Sequence, residues 1–229
     1  MRFVKPLAAA LMLAWLAGCS STPPEPQAPT GEPEAGQPQG PFNAALPPGP
    51  VTLNPYLETP APKVDSATRQ RFDQAREQMQ RQQWSEARQS LQNLVAEAPE
   101  LSGPWLNLGI VWVQLNEPGQ ARAAFSRALA ANPLNVDAYN HLAALERREG
   151  HFDEARTLYQ QALAVWPHSI ATHKNLGILL DIYLGEWDEA LLHYEAAQYL
   201  TEQREGAADA TLAGWIIDLK RRMAAGEGA

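Results

Sequence analysis

The feature that most constrains the fold is a residue pattern that recurs every 34 positions. One copy holds an aromatic residue, a small residue, an alanine, a second aromatic residue and a closing proline, at Trp105, Gly109, Ala121, Phe125 and Pro133. The next copy repeats these types at Tyr139, Ala143, Ala155, Tyr159 and Pro167. A repeat of this length predicts an array of identical supersecondary units instead of one globular core.

The spacing within one copy indicates two helices joined by a short turn. Neither helix of such a pair buries its apolar stripe without neighbouring pairs, so the units must stack. Asn116, Gly150 and Gly185 stand where the first helix ends, and these residue types adopt the left-handed conformation that stops a helix. The sequence therefore predicts an all-α fold.

This pattern resembles the tetratricopeptide-repeat (TPR) family between about Thr68 and Tyr199. The resemblance implies a helical-repeat solenoid of about four helix-turn-helix units within a domain of residues 64–229. A further amphipathic segment, at about 207–223, predicts a C-terminal capping helix.

Two departures from the repeat pattern carry structural expectations. The first copy has Arg71 and Gln74 where Trp and Leu are usual, which predicts a weakly packed cap. The fourth copy has one extra residue between Gly177 and Gly185, which predicts either a π-bulge or a shifted turn.

The N-terminus has the form of a secretory signal. Arg2 and Lys5 precede an apolar run from Leu7 to Ala17 that is too short to span a bilayer. The run ends in Leu16-Ala17-Gly18-Cys19, which resembles the lipobox of bacterial lipoproteins. The resemblance implies a signal peptide of residues 1–18 and acylation, including palmitate, at Cys19. Ser20 and Ser21 lack the Asp of an inner-membrane signal, so we expect the periplasmic face of the outer membrane. An ordinary signal peptide with a chance Cys is the alternative.

Residues 19–63 predict a disordered tether. Thirteen of the nineteen prolines lie between Ser20 and Lys63, where neither a helix nor a strand is favoured. A peptide ligand for an SH3-like partner is the alternative interpretation of this segment.

In TPR proteins the first helices of the units line a concave groove that binds a peptide. Carried over to this chain, that resemblance implies a groove formed by Leu106, Asn107, Ile110, Val113, Gln114, Asn140, His141, Ala144, Arg147, Arg148, Lys174, Asn175, Ile178, Asp181 and Ile182. Arg147, Arg148 and Lys174 predict a basic patch that favours a partner with apolar and acidic residues. The alternative is that these cations only pair with Glu146, Glu149 or Asp181.

No catalytic or metal-binding motif is evident. The chain has no His-Glu-x-x-His motif, no Gly-rich phosphate loop and no Gly-x-Ser-x-Gly elbow. His173 replaces the aromatic residue of the repeat and is expected to be packed. A net charge of −8 gives no support for nucleic-acid binding. We expect no enzyme activity, no cofactor and no small-molecule substrate.

The leading functional prediction is a membrane-anchored periplasmic adaptor that binds envelope proteins and supports a complex such as a type IV pilus or secretin apparatus. Pilotins, which the chain resembles in this respect, generally have more repeats and a shorter stalk. A scaffold for peptidoglycan-processing enzymes is the second hypothesis, because a long tether would let the groove reach the wall. A hydrolase with an unrecognised active site is the third.

Overall fold

The computed structural model describes residues 45–59 and 62–226, and every regular element in these ranges is helical. The predicted signal peptide and Cys19 lie outside the described residues. The helices are α1 Pro55–Glu58, α2 Ser66–Gln80, α3 Trp84–Glu97, α4 Ser102–Gln114, α5 Pro118–Ala131, α6 Val136–Glu149, α7 Phe152–Val165, α8 Ile170–Ile178, a π-helical segment Leu179–Leu184, α9 Trp187–Glu205 and α10 Ala210–Ala225.

Helices α2 to α9 form four pairs, which we call repeats 1 to 4. The first helix of each pair is helix A (α2, α4, α6, and α8 with the π segment), and the second is helix B (α3, α5, α7, α9). Each helix B also packs on helix A of the next repeat. The prediction of an all-α solenoid of about four units is confirmed.

Small residues let helices A and B of one repeat approach closely. A Cβ atom added to Gly177 would lie 2.6 Å from the Tyr194 ring, and one added to Gly109 would lie closer still to the Phe125 ring. Tyr194 and Phe125 are almost fully buried. The alternation of glycine on helix A with an aromatic residue on helix B is therefore a packing requirement.

The ends of the A helices adopt the left-handed conformation that the sequence predicted. The φ angles are 59° at Asn116, 86° at Gly150 and 70° at Gly185. Gln82 holds the same place in repeat 1, with φ of 58°, although its residue type gave no indication of it.

The extra residue of repeat 4 is absorbed in a π-helical segment, which is the first of the two predicted outcomes. The segment begins where α8 ends and closes with the Glu186 N–H donating to the Leu180 carbonyl oxygen at 2.9 Å. Asp181 is buried, while Ile182 and Tyr183 on the same turn are exposed.

Helix α10 closes the array. It begins at Ala210 because the Asp209 carboxylate accepts from the N–H groups of Thr211 and Leu212. Leu212 and Leu219 are fully buried in the cluster that contains Tyr194. The capping helix starts later than the predicted 207, and it ends at Ala225.

Residues 45–59, which the sequence assigned to a disordered tether, pack on the repeats instead. Leu46 is buried against Ala196 and Leu200, and Thr52 hydrogen-bonds His168. The prediction of disorder up to Lys63 is therefore wrong for this segment, because its few apolar and polar anchors find partners far along the chain. We call residues 45–56 the strap. Within the described residues, no helix has the length and apolar character needed to cross a bilayer.

Candidate protein-binding groove

The A helices lie on the inner side of the array. Successive A helices contact one another more closely than successive B helices do, so the ribbon of repeats curves toward the A helices. The residues that the sequence assigned to a groove belong to α4, α6 and α8 with its π segment.

The part of the groove formed by α4 is apolar. Leu106, Ile110 and Val113 are half-buried and pack beside the cluster formed by Ala121, Phe125, Leu142 and Leu145. Asn107 is half-buried and Gln114 is exposed. Repeat 2 therefore combines partly uncovered aliphatic side chains with amides that can hydrogen-bond a peptide backbone.

The sequence predicted that the Asn140 side chain lines the groove, but the protein itself engages this side chain. It is 7% exposed, and its Nδ2 donates to the Val136 carbonyl oxygen at 3.1 Å and to Thr172 Oγ1 at 2.9 Å. The neighbouring helix α8 covers it, so Asn140 joins two repeats. His141 stays exposed, and its ring stacks on Phe125 at a centroid distance of 5.6 Å.

Two of the three predicted basic residues remain near each other. The Arg147 guanidinium lies 5.7 Å from the Tyr183 ring centroid, and its Nη1 is 3.5 Å from the Asn175 carbonyl oxygen. Arg148 is exposed, with Nε 3.7 Å from Glu149 Oε1. An exposed ion pair of this length contributes little, so both cations can interact with a partner.

Lys174 is neutralised by the capping helix. Its Nζ lies 3.4 Å from Asp209 Oδ2 and 5.1 Å from the Trp215 ring centroid. Ile178 is half-buried against the same core cluster that Trp215 contacts. The predicted basic patch is thus reduced to Arg147 and Arg148, and Asn175 is the remaining half-buried amide at this end.

Two of the three predicted carboxylate partners of these cations, Glu146 and Asp181, are engaged elsewhere. Glu146 accepts from Arg122 Nε at 2.6 Å and contacts His151 Nδ1 at 2.7 Å. The hydrogen bond from Arg122 lowers the pKa of Glu146, which is nearly buried. Asp181 binds Arg222 of α10 at 2.7 and 2.9 Å.

The structure also joins two histidines that no motif connected. His173 and His193 lie in repeat 4 with their Nδ1 atoms 2.9 Å apart, and both are buried. As predicted, His173 fills the place of the repeat's aromatic residue. Among residues 45–59 and 62–226, no three His, Cys, Asp or Glu side chains group as metal ligands.

Two models of the tetratricopeptide repeat match the chain, one over residues 78–145 and the other over residues 135–203. The chain belongs to the tetratricopeptide-repeat family. Two curated relatives carry the name tetratricopeptide repeat protein 8. The human protein is 37% identical and the mouse protein 36% identical over 89 residues, which is 39% of this chain. That segment is only 16% of the human and 17% of the mouse protein.

Solved TPR structures share the fold. PilF of Pseudomonas aeruginosa superposes with a TM-score of 0.62 and 19% identity, over 69% of this chain and 70% of that one. MamA superposes with a TM-score of 0.56 and 22% identity, over 61% of this chain and 81% of that one. A thermophilic TPR protein of Thermus thermophilus gives 0.56 and 22% identity, over 65% and 79%. At these identities the likeness concerns the fold alone.

Proposed function

We propose that this TPR protein is a lipid-anchored adaptor whose groove binds a segment of another envelope protein. TPR repeats form protein-interaction scaffolds, and the groove supplies the specific support. Its apolar row of Leu106, Ile110 and Val113 packs beside a buried cluster on one side and is only half-buried, so part of each side chain stays uncovered. This incompletely covered row is the observation that carries the proposal.

The chemistry of the groove favours a partner segment with apolar residues followed by acidic ones. Aliphatic side chains line repeat 2, and Arg147 and Arg148 lie at the end of α6. In a chain of net charge −8, two adjacent arginines without a strong partner favour an acidic residue on the bound segment.

The complex that we propose is an assembly such as a type IV pilus or secretin apparatus. The lipobox-like sequence ending at Cys19 and the shared fold with PilF support this proposal. A scaffold for peptidoglycan-processing enzymes is the second candidate. Such a scaffold would depend on the proline-rich segment upstream of residue 45 to reach the wall.

Site-specific crosslinking in intact cells tests the groove. A photo-crosslinking residue at Asn107 or Gln114 should capture one protein, whereas the same residue at Gln92 or Glu154, exposed on B helices, should not. Arg147→Glu with Ile110→Glu should reduce capture at Gln114 at least tenfold. Equal capture from both faces would contradict binding in the groove.

Deletion of the gene separates the two candidate complexes. Loss of secretin multimers with an unchanged muropeptide profile supports the first, and an altered profile with co-purified murein enzymes supports the second. Labelled palmitate that is still incorporated into a Cys19→Ala chain would contradict the lipid anchor. Turnover of muropeptides by the purified full chain would contradict the proposal that it is not an enzyme.

A further inference from the structure

The strap contacts the repeats at three separated places. Leu46 is buried between α8 and α9, where it packs on Ile170, Ala196 and Leu200. Thr52 lies at the turn between α7 and α8. The Tyr56 hydroxyl lies close to Gly103 at the start of α4. The strap therefore runs along the edge where B helices end and A helices begin, from repeat 4 back to repeat 2.

Two side chains bind both backbone groups of Thr52. Its N–H donates to His168 Nδ1 at 3.0 Å, and its carbonyl oxygen accepts from Trp166 Nε1 at 3.0 Å. Its Oγ1 is 2.8 Å from the same His168 Nδ1. With the strap in place, His168 is 6% exposed. Hydrogen bonds to the N–H and carbonyl groups of an extended segment are typical of peptide-binding sites.

The pair Trp166 and His168 is not a general feature of the repeats. One period earlier the two places hold Asn132 and Leu134, and two periods earlier they hold Ala98 and Glu100. The Asn132 carboxamide oxygen accepts from the Leu134 N–H at 2.9 Å, so this side chain forms a hydrogen bond within its own turn. The third turn alone combines an indole donor with an imidazole acceptor.

We propose that the edge formed by Trp166, His168 and Ile170 is a second peptide-binding site, separate from the groove, and that its ligand is the chain's own strap. The ligand class is an extended segment with a buried leucine six residues before the residue whose backbone is bound. Pro47, Pro48 and Pro50 lie between these two anchors and restrict the free segment, which lowers the entropy lost on binding. Val51 and Leu53 are 44% and 71% exposed and make no part of the site.

Because the strap and the edge belong to the same chain, the docked state sets an upper limit on the Kd of the strap for the edge. A short flexible connection gives an effective concentration on the order of millimolar. A strap that is mostly docked must then bind in trans with a Kd of about 1 mM or lower. A segment of the same chemistry on another protein, or on a second copy of this chain, would compete for this edge.

The test uses the full chain with Leu46→Asp and Thr52→Pro, which remove the apolar anchor and the donated N–H but leave the edge intact. The Trp166 indole N–H resonance, assigned with Trp166→Phe, reports whether the edge is occupied. It should move in the double variant and return when a synthetic wild-type peptide of residues 44–58 is added at about 1 mM. The wild-type chain should bind this peptide at least about twofold more weakly, because its own strap competes for the edge.

The controls are matched to the exposed face of the strap. Leu53→Asp should leave the indole resonance unchanged, and a peptide carrying Thr52→Pro should not restore it. Two results would overturn the proposal: an unchanged resonance in the double variant, or a moved resonance that the wild-type peptide does not restore. Crosslinking from Gln114 is a separate readout, so failure here is distinguishable from failure of the groove.

Discussion

His173 and His193 share one hydrogen bond inside repeat 4, with 2.9 Å between their Nδ1 atoms. His173 Nε2 donates to the Pro167 carbonyl oxygen at 2.8 Å, so its Nδ1 must accept and His193 Nδ1 must donate. This assignment applies to the neutral form of both rings, which burial favours. Burial lowers the pKa of His173 to about 4 and that of His193 to about 3, with the mutual charge as a further cause for His193.

The pair should make the domain sensitive to acid. Both folded-state pKa values lie below the ordinary value of 6.5, so the unfolded chain binds more protons as pH falls. The stability contributed by the neutral pair is complete above about pH 6.5 and decreases below it by about 1.4 kcal/mol per pH unit for each histidine. The other charged groups nearby are His168 and the partly exposed Glu189, whose Oε1 is 3.9 Å from His193 Nε2.

His193→Asn keeps a donor at the Nδ1 position but does not titrate. The free energy of unfolding in urea, measured from about pH 7.5 to about pH 5, should therefore decrease less steeply than in the wild type, although His141 and His168, whose pKa values burial also lowers, keep their part of the slope. A His193→Asn slope equal to that of the wild type would show that the pair does not carry the acid sensitivity.

Two glycines in helices should respond oppositely to alanine. Gly177→Ala brings a Cβ atom to 2.6 Å from the ring of Tyr194. That tyrosine is 2% exposed and has no room to move. The substitution should therefore cost about 1–3 kcal/mol. Gly214→Ala, in α10, meets no atom within 4 Å. It should stabilise by about 0.5–1 kcal/mol. Thermal unfolding checks both, and equal signs would contradict the close packing of helices A and B.

Replacing Gln82 by glycine should stabilise the domain. Its φ angle is 58°, in the left-handed region. An L-residue there costs about 1–2 kcal/mol, part of which is returned because glycine loses more entropy on folding. Gln82→Gly should therefore stabilise by about 0.5 kcal/mol. Gln74→Gly, at an exposed position inside α2, should instead destabilise by about 1 kcal/mol. Urea unfolding of the two variants gives the comparison, and a loss of stability in Gln82→Gly would count against the left-handed turn.

The repeats could be predicted because their signal is local and periodic. Gly177 and Tyr194 occupy template positions, and the spacing alone places one against the other. The extra residue of repeat 4 followed from a count of residues, and the π segment was one of the two outcomes that this count predicted. Asn140 was misjudged because a template position does not say how far the next repeat covers it: Thr172 comes from the neighbouring helix A.

The strap could not be predicted, because no period relates it to its site. Thr52 and Trp166 are 114 residues apart, and a proline-rich composition indicates disorder. The pairing of Lys174 with Asp209 was missed for a similar reason, although Asp209 before an apolar helix is a recognisable N-cap. Contacts outside the repeat pattern thus depend on single side chains that a sequence does not pair.

The last prediction concerns the ion pair that joins the capping helix to the π segment. The Asp181 side chain is 4% exposed. Its hydrogen bond with Arg222 is the main cause of the raised pKa of that arginine. Arg222→Met would leave a buried carboxylate with only the Tyr194 hydroxyl, at 3.4 Å. The loss should be about 3 kcal/mol, because the remaining charge is buried and unpaired. The Arg221 side chain is 78% exposed. Arg221→Met should therefore cost less than about 0.5 kcal/mol.

Removing the charge should recover part of this loss. Asp181→Asn combined with Arg222→Met leaves a neutral amide that still accepts from Tyr194. The double variant should be at least about 1 kcal/mol more stable than Arg222→Met alone. Hydrogen exchange of α10 amides should follow the same order, because the pair ties α10 to repeat 4. If Arg222→Met and Arg221→Met unfold alike, the capping helix is held by Leu212 and Leu219 and the ion pair contributes nothing measurable.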